Sequence, residues 1–134
     1  MNTLCVPLRI YEDIFGIKSS YQKFFKHIGI SLIGLSPSKF VNYEEAIKNS
    51  LGLLLPGGGD INPQRYNKKD EEVKYSNQLD KAEEKFYFIA KKYDKKVIGI
   101  CRGLQIINVF ENGTLKNIEN HENINPVSYT HLTL

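Results

Sequence analysis

The sequence predicts an α/β fold, a doubly wound and mainly parallel sheet flanked by helices. Three observations carry that expectation. Four short apolar runs of strand length alternate with stretches of helical period. Two glycine-bearing turns, PGGGD and GICRG, each follow one of those runs directly. The chain of 134 residues, 41% hydrophobic with eight tyrosines and seven phenylalanines, is large enough to bury one core.

Taken in order, TLCVPLRI near the start is a strand, with Pro7 confining it to a sheet edge or to its own end. In SSYQKFFKHIG, Ser19 and Gln22 have the spacing of a capping box, and Tyr21, Phe24, Phe25 and Ile28 recur at i, i+3, i+4 and i+7. This is an amphipathic helix stopped by Gly29. ISLIGL reads as a buried strand ended by SPS, and Asn42 with Glu45 brackets the start of a short helix running to about Asn49. LGLLL is a third strand, running straight into PGGGDINPQRY, a loop by its local signals.

The segment NKKDEEVKYSNQ is polar and expected to be exposed. A long helix follows from about Gln78 to Tyr93, with Leu79, Ala82, Phe86, Ile89, Ala90 and Tyr93 as its apolar stripe. KKVIGI is the fourth strand. RGLQIINVF is a helix apolar on most of its circumference and therefore buried, closed by Asn112 and Gly113. Beyond Gly113 the periodic signals fade: TLKNIENHENIN reads as a loop with one short strand, and PVSYTHLTL continues no earlier period.

Composition narrows the function. The net charge of +3 comes from 18 basic and 15 acidic residues, with the lysines scattered along helical stretches, so no nucleic-acid surface is expected. No apolar run approaches a membrane span, and the N-terminus lacks the pattern of a secretory leader, which makes the cytoplasm the expected compartment. Cys5 and Cys101 give no disulfide framework, and neither cysteine shares ligand spacing with His27, His121 or His131, so neither a metal nor another cofactor is expected.

Gly99-Ile100-Cys101-Arg102-Gly103 has the form G-x-C-x-G, the thiol counterpart of the G-x-S-x-G nucleophile elbow, in the required place between a strand and a helix. A nucleophile on such a turn is held in a strained conformation, and Gly99 and Gly103 leave the room that this demands. The side chain then projects from the carboxyl edge of the sheet at a helix N-terminus, which favours the thiolate. Free cysteine more often packs as a small hydrophobe, and Cys5 is assigned to that role. An attacking nucleophile also needs donors for an oxyanion. The loop LPGGGD follows a strand of the same parallel sheet, so Gly57, Gly58 and Gly59 should lie beside the elbow and let backbone approach a ligand; a plain turn is the other reading of the same glycines. No G-K-[ST] follows to make a phosphate loop. Arg65 stands where a calcium loop starting at Asp60 would need glycine.

With YQKFFKHIG, LPGGGDINPQRY, GICRGLQIINV and NGTL in this order, the chain resembles the class I glutamine amidotransferase-like hydrolases, in particular the peptidase C26 group of γ-glutamyl-γ-aminobutyrate hydrolases. The matching pieces cover most of residues 6 to 118. The resemblance implies a flavodoxin-like sheet and hydrolysis of a γ-glutamyl amide through a cysteinyl thioester, releasing glutamate and an amine. It implies Cys101 as nucleophile and the backbone N–H groups of Gly58 and Arg102 as the oxyanion hole. Gly57, Gly59 and Gln105 would contact a small γ-glutamyl substrate. As side chains alone, Arg102 reads as a surface residue at a helix start and Gln105 as an ordinary helix former. Two departures stand out. Glu111 and Asn112 precede Gly113 and Thr114 where the family commonly has small residues, and the W-H-P-E stretch that supplies the family's histidine and glutamate does not occur. Without that histidine, general acid–base catalysis worth ~10²–10⁴-fold is missing.

The tail PVSYTHLTL closely resembles the translation of a transposon-based sequencing adapter read in frame. Residues 1–125 are accordingly expected to be the N-terminal part of a hydrolase domain and 126–134 a non-native tail, the piece by itself being inactive and poorly soluble. Two other functions are compatible with the motifs: a glutaminase supplying ammonia to a synthase, and a non-catalytic binding or redox-sensing module. The amine half of the substrate and the oligomeric state, a homo-oligomer included, are left open.

Overall fold

A computed structural model describes residues 2–37, 42–68, 73–116 and 130–133. β1 (Thr3–Pro7) joins a five-stranded sheet with β4 (Ser31–Leu35), β5 (Gly52–Leu55), β6 (Lys96–Ile100) and β7 (Thr130–Thr133), between β4 and the central β5. The order is β4-β1-β5-β6-β7; the first four strands are parallel, and β7 runs antiparallel to β6. The four parallel strands, joined through helices, give the doubly wound α/β architecture that the alternation of periods predicts. Pro7 closes β1 at its end, as its missing N–H requires. The chain then forms a small hairpin, β2 (Arg9–Tyr11) and β3 (Ile14–Gly16), above the carboxyl edge.

The helices divide unequally. α2 (Glu44–Lys48), α3 (Asn77–Lys92) and α4 (Arg102–Phe110) contribute Ile47, Phe86, Tyr87, Ala90, Ile106 and Ile107 to one core, into which Cys5, Leu53 and Leu55 point from the sheet. α1 (Ser19–His27) packs mainly through Phe25 on a smaller cluster with Leu4, Val6 and Leu54. The two-residue alternation of β1 and β5 divides them between the two sides. Cys5 is fully buried and packs as a small hydrophobe, and burial pushes its thiol pKa up.

Several expectations need correction. Ser19 and Gln22 form no capping box: Ser19 is already helical, and the cap is Lys18, which offers no oxygen. Phe24 and Ile28 are exposed, because only one flank of α1 reaches the sheet. ISLIGL is an edge strand whose Ser31, Ile33 and Gly34 face solvent. The loop after β5 contains a 3-10 turn, Pro63–Tyr66, started by Asn62, whose side chain accepts the Gln64 N–H at 3.0 Å. α3 is capped by the Ser76 hydroxyl, which accepts the Leu79 N–H at 3.2 Å. Residues 69–72 of the polar segment, most of TLKNIENHENIN and the expected domain end at 125 lie outside the described residues. No helix among the described residues is long and apolar enough to cross a membrane.

Candidate active site

Three chain segments leave the carboxyl edge side by side: the one after β1, the loop Pro56–Gly59 after β5, and the turn after β6. Together with α1 and the start of α3 they enclose a cavity of ≈ 670 Å³. Clefts at this edge of an open α/β sheet are where ligands bind.

Cys101 occupies the N-cap of α4 with φ 53° and ψ −110°, and its side chain is exposed to the cavity. A non-glycine residue in this region is strained by about 1–3 kcal/mol. The flanking glycines show why the turn closes at all. A Cβ on Gly103 would lie 1.8 Å from the Leu55 carbonyl oxygen, and one on Gly99 2.7 Å from the backbone of Gly103 and Leu104. The elbow therefore packs backbone against backbone on both sides of the thiol.

The glycine loop sits opposite. A Cβ on Gly57 would lie 3.8 Å from that of Cys101, so the loop runs beside the thiol-bearing residue at van der Waals distance. The N–H groups of Gly58 and Arg102 have no hydrogen-bond partner among the described residues, whereas Gly57 N–H donates to the Tyr21 hydroxyl at 2.9 Å. For Arg102 this follows from its place in the first turn of α4, where backbone donors are free and the helix dipole favours negative charge. Gly57, Gly58, Gly59, Cys101 and Arg102 all line the cavity. Gln105 does not: it is exposed one turn further along α4, its N–H donating to the Cys101 carbonyl at 3.2 Å.

Arg102 is not the surface residue that its position at a helix start suggests. Its side chain is 2% exposed, and its guanidinium donates to Asp80 and, at 2.8 Å, to Glu83 Oε1. The same Glu83 oxygen accepts Arg9 Nη1 at 2.6 Å, and Arg9 also donates through Nε to the Gly57 carbonyl at 2.9 Å and through Nη2 to the Pro56 carbonyl at 2.5 Å. Asp80 further accepts the Asn62 N–H at 3.1 Å, with Arg65 Nε at 3.8 Å. Burial pulls the Arg9 pKa down against the attraction of Glu83, and pushes that of Glu83 up against both guanidiniums.

Arg9, Asp80 and Glu83 are absent from the motifs, and Tyr21 entered only as an apolar position of the first helix, in the piece YQKFFKHIG. One signal was present for the acids. Glu83 follows Leu79 by four residues and precedes Phe86 by three, which puts a carboxylate inside the apolar stripe of α3, where it must meet a buried cation. Arg9 and Tyr21 had no such mark, since both reach the site by the folding of distant segments.

Among the described residues no group of three or more metal-ligating side chains occurs, and no histidine lines the cavity. At the helix end, Glu111 accepts Lys91 Nζ at 2.6 Å and the Tyr87 hydroxyl, tying α4 to α3 away from the cavity.

The model of the peptidase C26 family matches residues 13–131. A glutamine amidotransferase-like protein of Lactococcus lactis subsp. cremoris, the YvdE homologue, is 29% identical over 102 residues, covering 73% of this chain and 53% of its own. A second, RP404 of Rickettsia prowazekii, is 42% identical over 72 residues, or 48% of this chain and 24% of its own. YvdE of Lactococcus lactis subsp. lactis is 28% identical over 102 residues, covering 73% and 42%. The chain thus spans about half the length of these relatives or less.

Proposed function

The chain belongs to the peptidase C26 family, and from that premise we propose that the protein hydrolyses a γ-glutamyl amide through a thioester on Cys101. The observation that carries the reading is the strained, exposed Cys101 at a helix N-terminus, facing a glycine loop with a free N–H group beside it.

In this mechanism the Cys101 thiolate attacks the side-chain carbonyl carbon of the γ-glutamyl group. The carbonyl oxygen becomes an oxyanion and moves between the N–H groups of Gly58 and Arg102, donors that need no reorganisation because neither has another partner. Collapse breaks the C–N bond, the amine leaves with the proton taken from the thiol, and the acyl group remains on sulfur. Water then attacks the thioester, releasing glutamate and restoring the thiol. Both halves need a proton carrier, and among the described residues no histidine lines the cavity. The cytoplasm is the proposed site of action, with a small γ-glutamyl compound as partner and no cofactor.

A second reading, a glutaminase that passes ammonia to a synthase, draws support from the glutamine amidotransferase-like names of the relatives. Steady-state hydrolysis of glutamine against a series of γ-glutamyl amines separates the two. The proposal expects a larger kcat/KM for at least one γ-glutamyl amine than for glutamine, and a γ-glutamyl adduct on Cys101 trapped by hydroxylamine. Turnover surviving Cys101→Ala would overturn both readings.

A further inference from the structure

We infer that Arg9 and Glu83 are positioning residues that aim the two oxyanion donors at the nucleophile. The inference rests on the reading of Cys101 as the attacking thiol, and it begins with the planarity of the peptide bond. In a trans peptide the C=O and the following N–H point in opposite directions, so fixing one end of the plane fixes the other. No cis peptide bond occurs among the described residues.

The Pro56–Gly57 peptide is held at both ends. Its carbonyl accepts Arg9 Nη2 at 2.5 Å, and its N–H donates to the Tyr21 hydroxyl at 2.9 Å. The Gly57–Gly58 peptide is held at one end only, where its carbonyl accepts Arg9 Nε at 2.9 Å. The other end is the Gly58 N–H, which has no partner and points away from the guanidinium. Three glycines in a row cannot hold this direction by themselves, since glycine restricts φ and ψ least. The fork of a single arginine supplies the stiffness that the loop lacks: its two donors sit at a fixed spacing that matches two successive carbonyls.

The second donor is the N–H of Arg102, whose own side chain is clamped between Asp80 and Glu83. Glu83 Oε1 is the point where the two halves meet, 2.6 Å from Arg9 and 2.8 Å from Arg102. Its side chain is fully buried, so the bonds act in a low-dielectric interior where a displaced charge finds no water to replace its partner. A cluster serving only to fasten α3 to the sheet would gain nothing from gripping two carbonyls of the glycine loop. The contacts of Arg9 to Pro56 and Gly57 make sense for a loop whose direction matters.

The test compares Arg9→Lys and Glu83→Gln with the unsubstituted full-length protein. Lysine keeps the buried positive charge but cannot reach both carbonyls and Glu83 at once. The expected result in the folded variant is a fall in kcat of about 10²-fold with KM changed little, as for a group displaced from its productive place. A glutamate γ-aldehyde, which forms a tetrahedral adduct on Cys101, should lose affinity in parallel, while alkylation of Cys101 by iodoacetamide keeps its rate. If Glu83→Gln does not fold, Arg9→Lys decides, because it leaves every charge in place. A folded Arg9→Lys protein with unchanged kcat and unchanged aldehyde affinity would overturn the inference. Should the unsubstituted protein hydrolyse no amide, the proposed function fails. Hydrogen exchange at the Gly57 amide, which the clamped loop holds on the Tyr21 hydroxyl, then judges the positioning: faster exchange in Arg9→Lys supports it, and an unchanged rate refutes it.

Discussion

The two glycine turns at the carboxyl edge look alike in sequence and differ in what their glycines are for. At the elbow, side chains on Gly99 or Gly103 would run into backbone at 2.7 Å and 1.8 Å, so glycine there is a condition of packing. In the loop, a Cβ on Gly58 would meet only the side chains of Arg9 and Arg102, at 3.0 and 3.2 Å, and one on Gly57 the Tyr21 hydroxyl at 3.1 Å. Glycine in the loop keeps the cavity wall open. The elbow is built by close approach of the protein to itself, the loop by close approach reserved for something else.

Substitutions turn this contrast into measurements. Gly103→Ala should cost the most, because α4 would have to leave β5: overpacking of this kind costs at least about 3 kcal/mol, and urea unfolding should show it or the protein should fail to fold. Gly99→Ala is expected to lose about 2–3 kcal/mol by the same measurement, its clash being with the first turn of α4. For Gly58→Ala the expected loss of stability is only about 1 kcal/mol, since Arg9 can shift by a few tenths of an ångström, yet turnover should fall by at least about tenfold as the loop donor moves with it. Gly57→Ala should leave stability within about 0.5 kcal/mol and raise KM more than it lowers kcat, because it narrows the approach to Cys101. Should Gly58→Ala destabilise as much as Gly103→Ala, the division between the two turns would collapse.

The parts legible in the sequence were those marked locally. Strand and helix periods fix the order of elements, and GICRG between KKVIGI and QIINVF announces a tight turn because two glycines in five residues serve no other purpose there. The loop and the elbow could be named from adjacent residues, and the resemblance supplied Gly58 and Arg102 as the proposed donors. What joins them could not. Arg9 and Glu83 are 74 positions apart, and Arg9 and Gly57 are 48 apart, so their meeting is a product of topology: the β1 and β5 ends are neighbours in the sheet, and α3 lies over both. The same reasoning explains the misjudged ISLIGL, whose apolar residues fit a buried strand but whose place in the sheet order makes it an edge. Gln105 was assigned through a resemblance to related sites, and one helical turn carries it away from the cavity wall.

The backbone of Cys101 has a consequence for how this protein can change. Its φ of 53° is a conformation that glycine adopts freely and cysteine does not. Replacing Cys101 by glycine would relieve the strain and firm up the fold at the cost of the nucleophile. A screen that rewards heat resistance alone would therefore favour glycine over this thiol, whereas a screen for turnover would keep it.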